Sequence, residues 1–206
     1  MKVLLLNGSP KQNGNTFIAL NEVSKSLEAE GVDTEIIHVG AKSIRGCLAC
    51  GQCNNLKECV TNDLVNEVLV KFKEADGLIV GSPVYYASPA GTIVSFLDRL
   101  FFASKFDKTM KVGASVAVAR RGGTTATFDV LNKYFTISNM PIVSSSYWNN
   151  VHGASPGEAK DDAEGLQTMR RLAKNMAFLI KAIRLAKDVM PLPALDEMRQ
   201  VTSFIR

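Results

Sequence analysis

Asn7-Gly8-Ser9-Pro10-Lys11-Gln12-Asn13-Gly14-Asn15-Thr16 is the stretch that decides how this chain is read. The apolar run Val3-Leu4-Leu5-Leu6 precedes it, and an amphipathic run opening at Phe17 follows. That order is a strand, a small-residue loop and a helix N-terminus. A helix N-terminus carries unpaired N–H groups and a partial positive charge, so it attracts anions. Gly8 and Gly14 let the backbone approach a ligand. Ser9, Asn13, Asn15 and Thr16 supply short polar side chains, and Lys11 a mobile cation. The pattern reads as a phosphate cradle. A plain turn capped by Asn15 explains one Asn; it leaves the Ser, the Thr, the other Asn residues and both Gly unexplained.

Exclusion narrows the phosphate. A nucleotide-triphosphate loop needs Lys directly after its last Gly, then Ser or Thr for magnesium. Here Asn15 and Thr16 follow Gly14. The dinucleotide pattern of three closely spaced glycines is absent as well. A loop for a single phosphate end remains.

The 206 residues suffice for one α/β domain with a sizeable core, and one domain over 1–206 is expected. The net charge of +4 comes from basic residues spread along the chain, which gives nucleic-acid binding little support. The first apolar run is cut short at Gly8-Ser9-Pro10, too soon for a signal peptide, and Lys181 and Arg184 interrupt the apolar stretch near the C-terminus. A cytoplasmic protein with no membrane partner is expected. Thiols stay reduced there, so four Cys in one short segment point to metal or redox chemistry over disulfides.

Outward from the first loop, apolar spacing predicts a helix over about 16–30 with Gly31 as its stop. A strand over 34–39 follows; its lone His38 reads as structural. An irregular insert over 40–61 holds all four Cys. A helix over about 63–75 and a buried strand over 77–81 lead to a second special loop, Ser82-Pro83-Val84-Tyr85-Tyr86-Ala87. Ser88 and Pro89 read as the cap and first residue of the next helix. Asp98-Arg99 on it reads as a structural ion pair or an interface feature. A strand over 111–119 runs into a third loop, Arg120-Arg121-Gly122-Gly123-Thr124-Thr125, and another helix. The fifth strand is expected near 141–145, a last helix over about 164–187, and from 190 an extended, then briefly helical tail.

Strands alternate with helices throughout, so the class is α/β with a parallel sheet covered on both faces, and the arrangement resembles a flavodoxin-like three-layer sandwich. Its five-stranded parallel sheet has the order 2-1-3-4-5 with helices on both faces. The three special loops follow strands one, three and four at their carboxyl ends, where open α/β sheets bind ligands. In flavodoxin-like folds that order brings such loops together around an FMN, which the resemblance implies here.

Cys47-x-x-Cys50-x-x-Cys53-x5-Cys59 contains every Cys of the chain. Two successive C-x-x-C turns can wrap three thiolates around one corner of a cubane, with the fourth closing it. All-cysteine zinc sites usually come as two separate C-x-x-C pairs. A [4Fe-4S] cluster is therefore placed ahead of unligated thiols, and zinc behind both. Val60 stands where bacterial ferredoxins carry Pro, and the last gap is longer.

Gly8-Ser9-Pro10 with Gly14-Asn15-Thr16, then Ser82-Pro83-Val84-Tyr85, then Phe96-Leu97-Asp98-Arg99, resembles the NADPH-dependent FMN reductase superfamily. The Cys segment narrows the resemblance to its iron-sulfur flavoprotein family. The resemblance implies that Ser9, Lys11, Asn13, Asn15 and Thr16 hold the FMN phosphate. It implies that Pro83, Val84, Tyr85 and Tyr86 border the isoalloxazine, and that Arg120, Arg121, Gly122 and Gly123 meet its pyrimidine edge. It also implies one cluster on Cys47, Cys50, Cys53 and Cys59, and a homodimer or homotetramer with Trp148 and Phe101-Phe102 as candidate interface groups. Physical sense supports the flavin site: a flat aromatic ring suits apolar and aromatic walls with a few placed polar groups.

The leading expectation is an FMN oxidoreductase moving electrons between a reduced donor, NAD(P)H or a redox protein, and an acceptor. Three alternatives stand beside it: a cluster-free NAD(P)H-dependent reductase of quinones, nitro compounds or flavin; a pure electron carrier; and a metal or thiol sensor. No hydrolase motif is present.

Overall fold

A computed structural model of the protein describes residues 1–193, 197, 198, 200–202 and 204. The expected tail helix falls largely outside the described residues. In order come β1 (Lys2–Asn7), α1 (Asn15–Ala29), β2 (Asp33–His38), α2 (Cys53–Leu56), α3 (Leu64–Glu74), β3 (Gly77–Tyr85), β4 (Ser88–Pro89), α4 (Gly91–Ala103), β5 (Val112–Ala119), α5 (Thr124–Thr136), β6 (Asn150–His152) and α6 (Ala163–Lys187). A short 3-10 turn, Glu158–Asp161, precedes α6.

The apolar run of β1 is continuous because both of its faces are covered. Val3 and Leu5 point to the layer holding α1 and α6, with Leu20, Leu27, Met169 and Met176. Leu4 and Leu6 point to the layer holding α3, α4 and α5, with Phe72, Phe96 and Phe135. All are fully buried, and each such side chain contributes roughly 1.5–3 kcal/mol. The sheet order is β2-β1-β3-β5-β6, parallel throughout, with β4 added antiparallel to β3. Counting only parallel strands, this is the expected order. No helix among the described residues is long and apolar enough to cross a membrane.

Two elements differ from expectation. Ser88 and Pro89 do not start a helix. They pair with Tyr85 and Val84 as the return strand of a hairpin. Tyr86 and Ala87 at its tip both have left-handed backbones, φ 51° and 56°, the signature of a tight hairpin turn. Helix α4 starts after it, where the buried Ser82 hydroxyl accepts the Ala90 N–H at 3.0 Å.

The fifth parallel strand is Asn150–His152, not 141–145. The apolar Ile142-Val143 does touch the sheet edge, through a single bridge to Gly113. The chain then leaves the edge at the Ser144-Ser145-Ser146 run and returns at Asn149. There the Asn149 side-chain amide donates to the Ser115 carbonyl (3.0 Å) and the Asn149 carbonyl accepts from Ala117 N–H (2.9 Å). The interrupted edge delivers a fourth loop, 153–157, to the carboxyl end of the sheet.

Candidate functional site

The first loop is held from beneath. Asn7 is almost fully buried. Its side chain accepts the Ser9 N–H (3.0 Å) and donates to the Gln12 carbonyl (3.1 Å). The Ser9 hydroxyl accepts the Lys11 N–H at 3.2 Å. His38, at the end of β2, donates Nε2–H to the Ser9 carbonyl at 2.7 Å, which is the structural role expected of it. Gly40 passes directly under the loop. A Cβ there would lie 2.2 Å from the Ser9 carbonyl carbon and oxygen.

Helix α1 meets the loop with its donors free. Gly14 is the capping residue, no side chain caps the helix, and the first turn holds no acidic residue. The first intrahelical bond runs from Ile18 N–H to the Gly14 carbonyl, so the N–H groups of Asn15, Thr16 and Phe17 have no partner within the helix. A phosphate fits this end by charge and by donor set.

These residues line an open pocket with Pro10, Pro83, Val84, Tyr85, Val118, Ala119, Arg120, Gly153, Ala154 and Pro156. The loops after β1, β3, β5 and β6 all contribute. Of the expected flavin residues, the pocket unites Ser9, Lys11, Asn15, Thr16, Pro83, Val84, Tyr85 and Arg120. Asn13, Tyr86, Arg121, Gly122 and Gly123 lie outside its lining. Tyr86 stands fully exposed at the hairpin tip. Gly123, at φ 89°, seats the loop after β5 against that hairpin, where a Cβ would come within 2.8 Å of Ala87.

Asn15 does not cap α1. Its side-chain oxygen accepts N–H from Gly157 (3.0 Å) and Ala159 (3.3 Å), and its amide donates to the Ser155 carbonyl (2.9 Å). The side chain fixes the fourth loop, and the Asn15 backbone N–H has no partner within the helix. Glu158 fastens the same loop by accepting the Ala154 and Ser155 N–H groups, at 2.5 and 2.7 Å. Those bonds hold its carboxyl below the usual range, with a smaller contribution from the Arg120 charge. The fourth loop was missed because the preceding strand was placed too early; its small-residue run Gly153-Ala154-Ser155-Pro156-Gly157 was the available signal.

Cys47, Cys50, Cys53 and Cys59 line one shallow pocket with Arg99, Phe102 and Ala103 of α4. Left-handed residues, Ala49 (φ 51°) and Gly51 (φ 71°), flank Cys50 and curl the chain. Cys47 Sγ accepts the Ala49 N–H at 3.5 Å. Cys47 and Cys50 are exposed and Cys53 is buried. Cys59 is held tightly: its backbone exchanges two 2.9 Å bonds with the Asn66 side chain. The donor set, four soft thiols with N–H groups facing sulfur, suits a cluster by its chemistry. Among the described residues, however, no three Cys, His, Asp or Glu side chains stand as a set that could hold a metal ion.

Asp98 and Arg99 are not paired with each other. Asp98 accepts the Tyr134 hydroxyl (2.5 Å), and Arg99 bonds Asp63. Phe101 packs into an aromatic group with Phe72, Tyr134 and Phe135, whereas Phe102 and the edge-to-face Tyr147-Trp148 pair are exposed.

Comparison with known proteins agrees with this geometry. A family described as NADPH-dependent FMN reductase matches residues 1–155. An iron-sulfur flavoprotein of Methanocaldococcus jannaschii is 35% identical over 192 residues, covering 89% of this chain and 100% of that protein. An iron-sulfur flavoprotein of Methanosarcina thermophila is 27% identical over 192 residues, covering 91% and 100%. Among solved structures, a flavodoxin from the domain Archaea superposes with a TM-score of 0.60 at 19% identity, covering 88% of this chain and 99% of that one; this likeness concerns the fold alone.

Proposed function

Since the chain belongs to the iron-sulfur flavoprotein family, within the NADPH-dependent FMN reductases, and is an FMN-dependent oxidoreductase, we propose that it moves electrons between NAD(P)H or a redox protein and an acceptor, with FMN in the four-loop pocket and a [4Fe-4S] cluster on Cys47, Cys50, Cys53 and Cys59. The observation that carries the reading is the uncapped N-terminus of α1 opening into a pocket that four strand ends share.

In this reading the chain's own groups bind and orient. The N–H groups opening α1, the Ser9 hydroxyl and Lys11 would hold the phosphate dianion. Pro83, Val84 and Tyr85 would wall the ring. Arg120 would bring positive charge toward the ring edge where reduction accumulates electrons. Bound there, FMN supplies exchange between two-electron and one-electron chemistry, and a cluster supplies single-electron steps. The exposed Tyr85, Tyr86, Tyr147 and Trp148 leave aromatic surface that a second copy would cover in a homodimer or homotetramer.

The cluster-free reductase is the second reading, because the four thiols share a cavity without forming a ligand set. Steady-state NADPH and NADH oxidation by the anaerobic holoprotein, with quinone, nitro and protein acceptors, tests the proposal. Turnover with one acceptor class is expected. Absence of any turnover would leave a carrier or a sensor.

A further inference from the structure

Arg99 is the one cation among the residues lining the cysteine cavity, and it is 2% exposed. Burying a guanidinium costs several kcal/mol unless its donors are paired. Here they are paired in a particular way. Nη1 donates to Asp63 Oδ2 at 2.7 Å, and Nη2 donates to Asp63 Oδ1 at 2.9 Å and to the Thr61 carbonyl at 3.0 Å. Nε donates to Cys59 Sγ at 3.3 Å. Asp63 is itself fixed, since it caps α3 through the Val65 N–H at 3.0 Å. Cys59 is fixed from its other side by Asn66. The α4 and α3 scaffolds therefore converge on one sulfur and aim an N–H and a full charge at it. Among the described residues, the other three cysteines receive no cationic donor.

Resting on the cluster reading above, we propose that Arg99 is a positioning residue that fixes Cys59 as a preformed ligand and sets the reduction potential of the cluster bound in this cavity. Hydrogen bonds to sulfur and nearby positive charge stabilise the more negative, reduced cluster, and so raise its potential. Arginine keeps that charge at every working pH, and its planar fork serves Asp63 and the sulfur at once. Lysine holds the charge without the fork. Asp63 carries charge of the opposite sign at the far side of the same guanidinium.

The test is an anaerobic redox titration of the reconstituted protein, followed by visible absorbance and electron paramagnetic resonance. Iron content, FMN content and melting temperature are measured on the same samples. Arg99→Gln is expected to make the cluster harder to reduce by at least tenfold, about 59 mV for a one-electron couple, and Arg99→Lys by less. Asp63→Asn loosens the same ion pair and is expected to lower the melting temperature without lowering the potential. A merely structural Arg99 moves both variants alike. An Arg99→Gln protein with full iron and a potential within twofold of the unsubstituted protein overturns the inference. So does an Asp63→Asn protein whose potential falls as far. Should Arg99→Gln not fold, Arg99→Lys carries the test, and an unchanged potential there overturns the inference. An unsubstituted protein that takes up no iron removes the cluster reading itself, a result distinct from an unshifted variant.

Discussion

Gly40→Ala should damage the proposed phosphate loop without replacing any residue that lines the pocket. The new Cβ would lie 2.2 Å from both the Ser9 carbonyl carbon and its oxygen, and 2.4 Å from the Gly8 oxygen. Ordinary contact begins at 3.4 Å, so something must move by about 1.2 Å. Every atom in the way is backbone, so no side chain can rotate aside. The loop is also tied elsewhere: Gly8 N–H bonds the Gly81 carbonyl at 2.8 Å, and His38 bonds the Ser9 carbonyl at 2.7 Å. Overpacking of this kind costs about 1–3 kcal/mol. At this chain length each kcal/mol lowers the melting temperature by about 2–4 °C. Displacing one charge-assisted hydrogen bond to the phosphate costs a further 1.5–3 kcal/mol or so, roughly tenfold to a hundredfold in FMN affinity. Flavin fluorescence titration of the apoprotein reads the affinity, and thermal unfolding with and without FMN reads the stability. Gly91→Ala is the control, because a Cβ there meets nothing within 4 Å. FMN affinity of Gly40→Ala within twofold of the unsubstituted protein would mean that the loop above Gly40 does not hold the phosphate.

Asn15→Ala removes three hydrogen bonds to residues 155–159 and should speed amide exchange in that loop, whereas Thr16→Ala should not; both should weaken FMN binding. The Asn15 prediction fails if exchange at Gly157 and Ala159 is unchanged. Hydrogen bonds from Lys2 and Lys71, reinforced by their charges, hold Glu35 below its ordinary value of 4.5. The folded state thus favours the carboxylate, contributing stability that is complete above 4.5 and lost as pH falls through the lower folded value. Glu35→Gln should flatten the acid limb of a stability-against-pH curve, by less in high salt because the pair is partly exposed; an unchanged acid limb would count against it.

What was legible in the sequence was whatever repeats with a period. The apolar strands and the amphipathic helices gave the layers, the flavodoxin-like pattern gave the sheet order, and the small-residue loop after β1 gave the proposed anion site. What was hidden depended on contacts far apart in the chain. Tyr86-Ala87 carries none of the Gly or Asn that usually mark a two-residue hairpin turn, so Ser88-Pro89 passed for a helix start. Ile142-Val143 is apolar enough to be a strand, but the serine run behind it leaves the sheet. Asn15 looked like a cap, yet its side chain reaches residues more than 140 positions away. The need for glycine at position 40 is invisible until the Ser9 backbone is seen above it. The cysteine spacing announced a shared site, and its one buried cation, Arg99, could only be found once α4 was packed against it.

In the proposed reading one chain carries both FMN and a [4Fe-4S] cluster. Iron, sulfide, zinc and flavin content, taken with the absorption spectrum of a single sample purified without oxygen and reconstituted with iron and sulfide, tests it most directly. About one FMN and about four irons per chain are expected, with the iron lost in Cys50→Ser and the flavin retained. Flavin without iron, or zinc in its place, would contradict it.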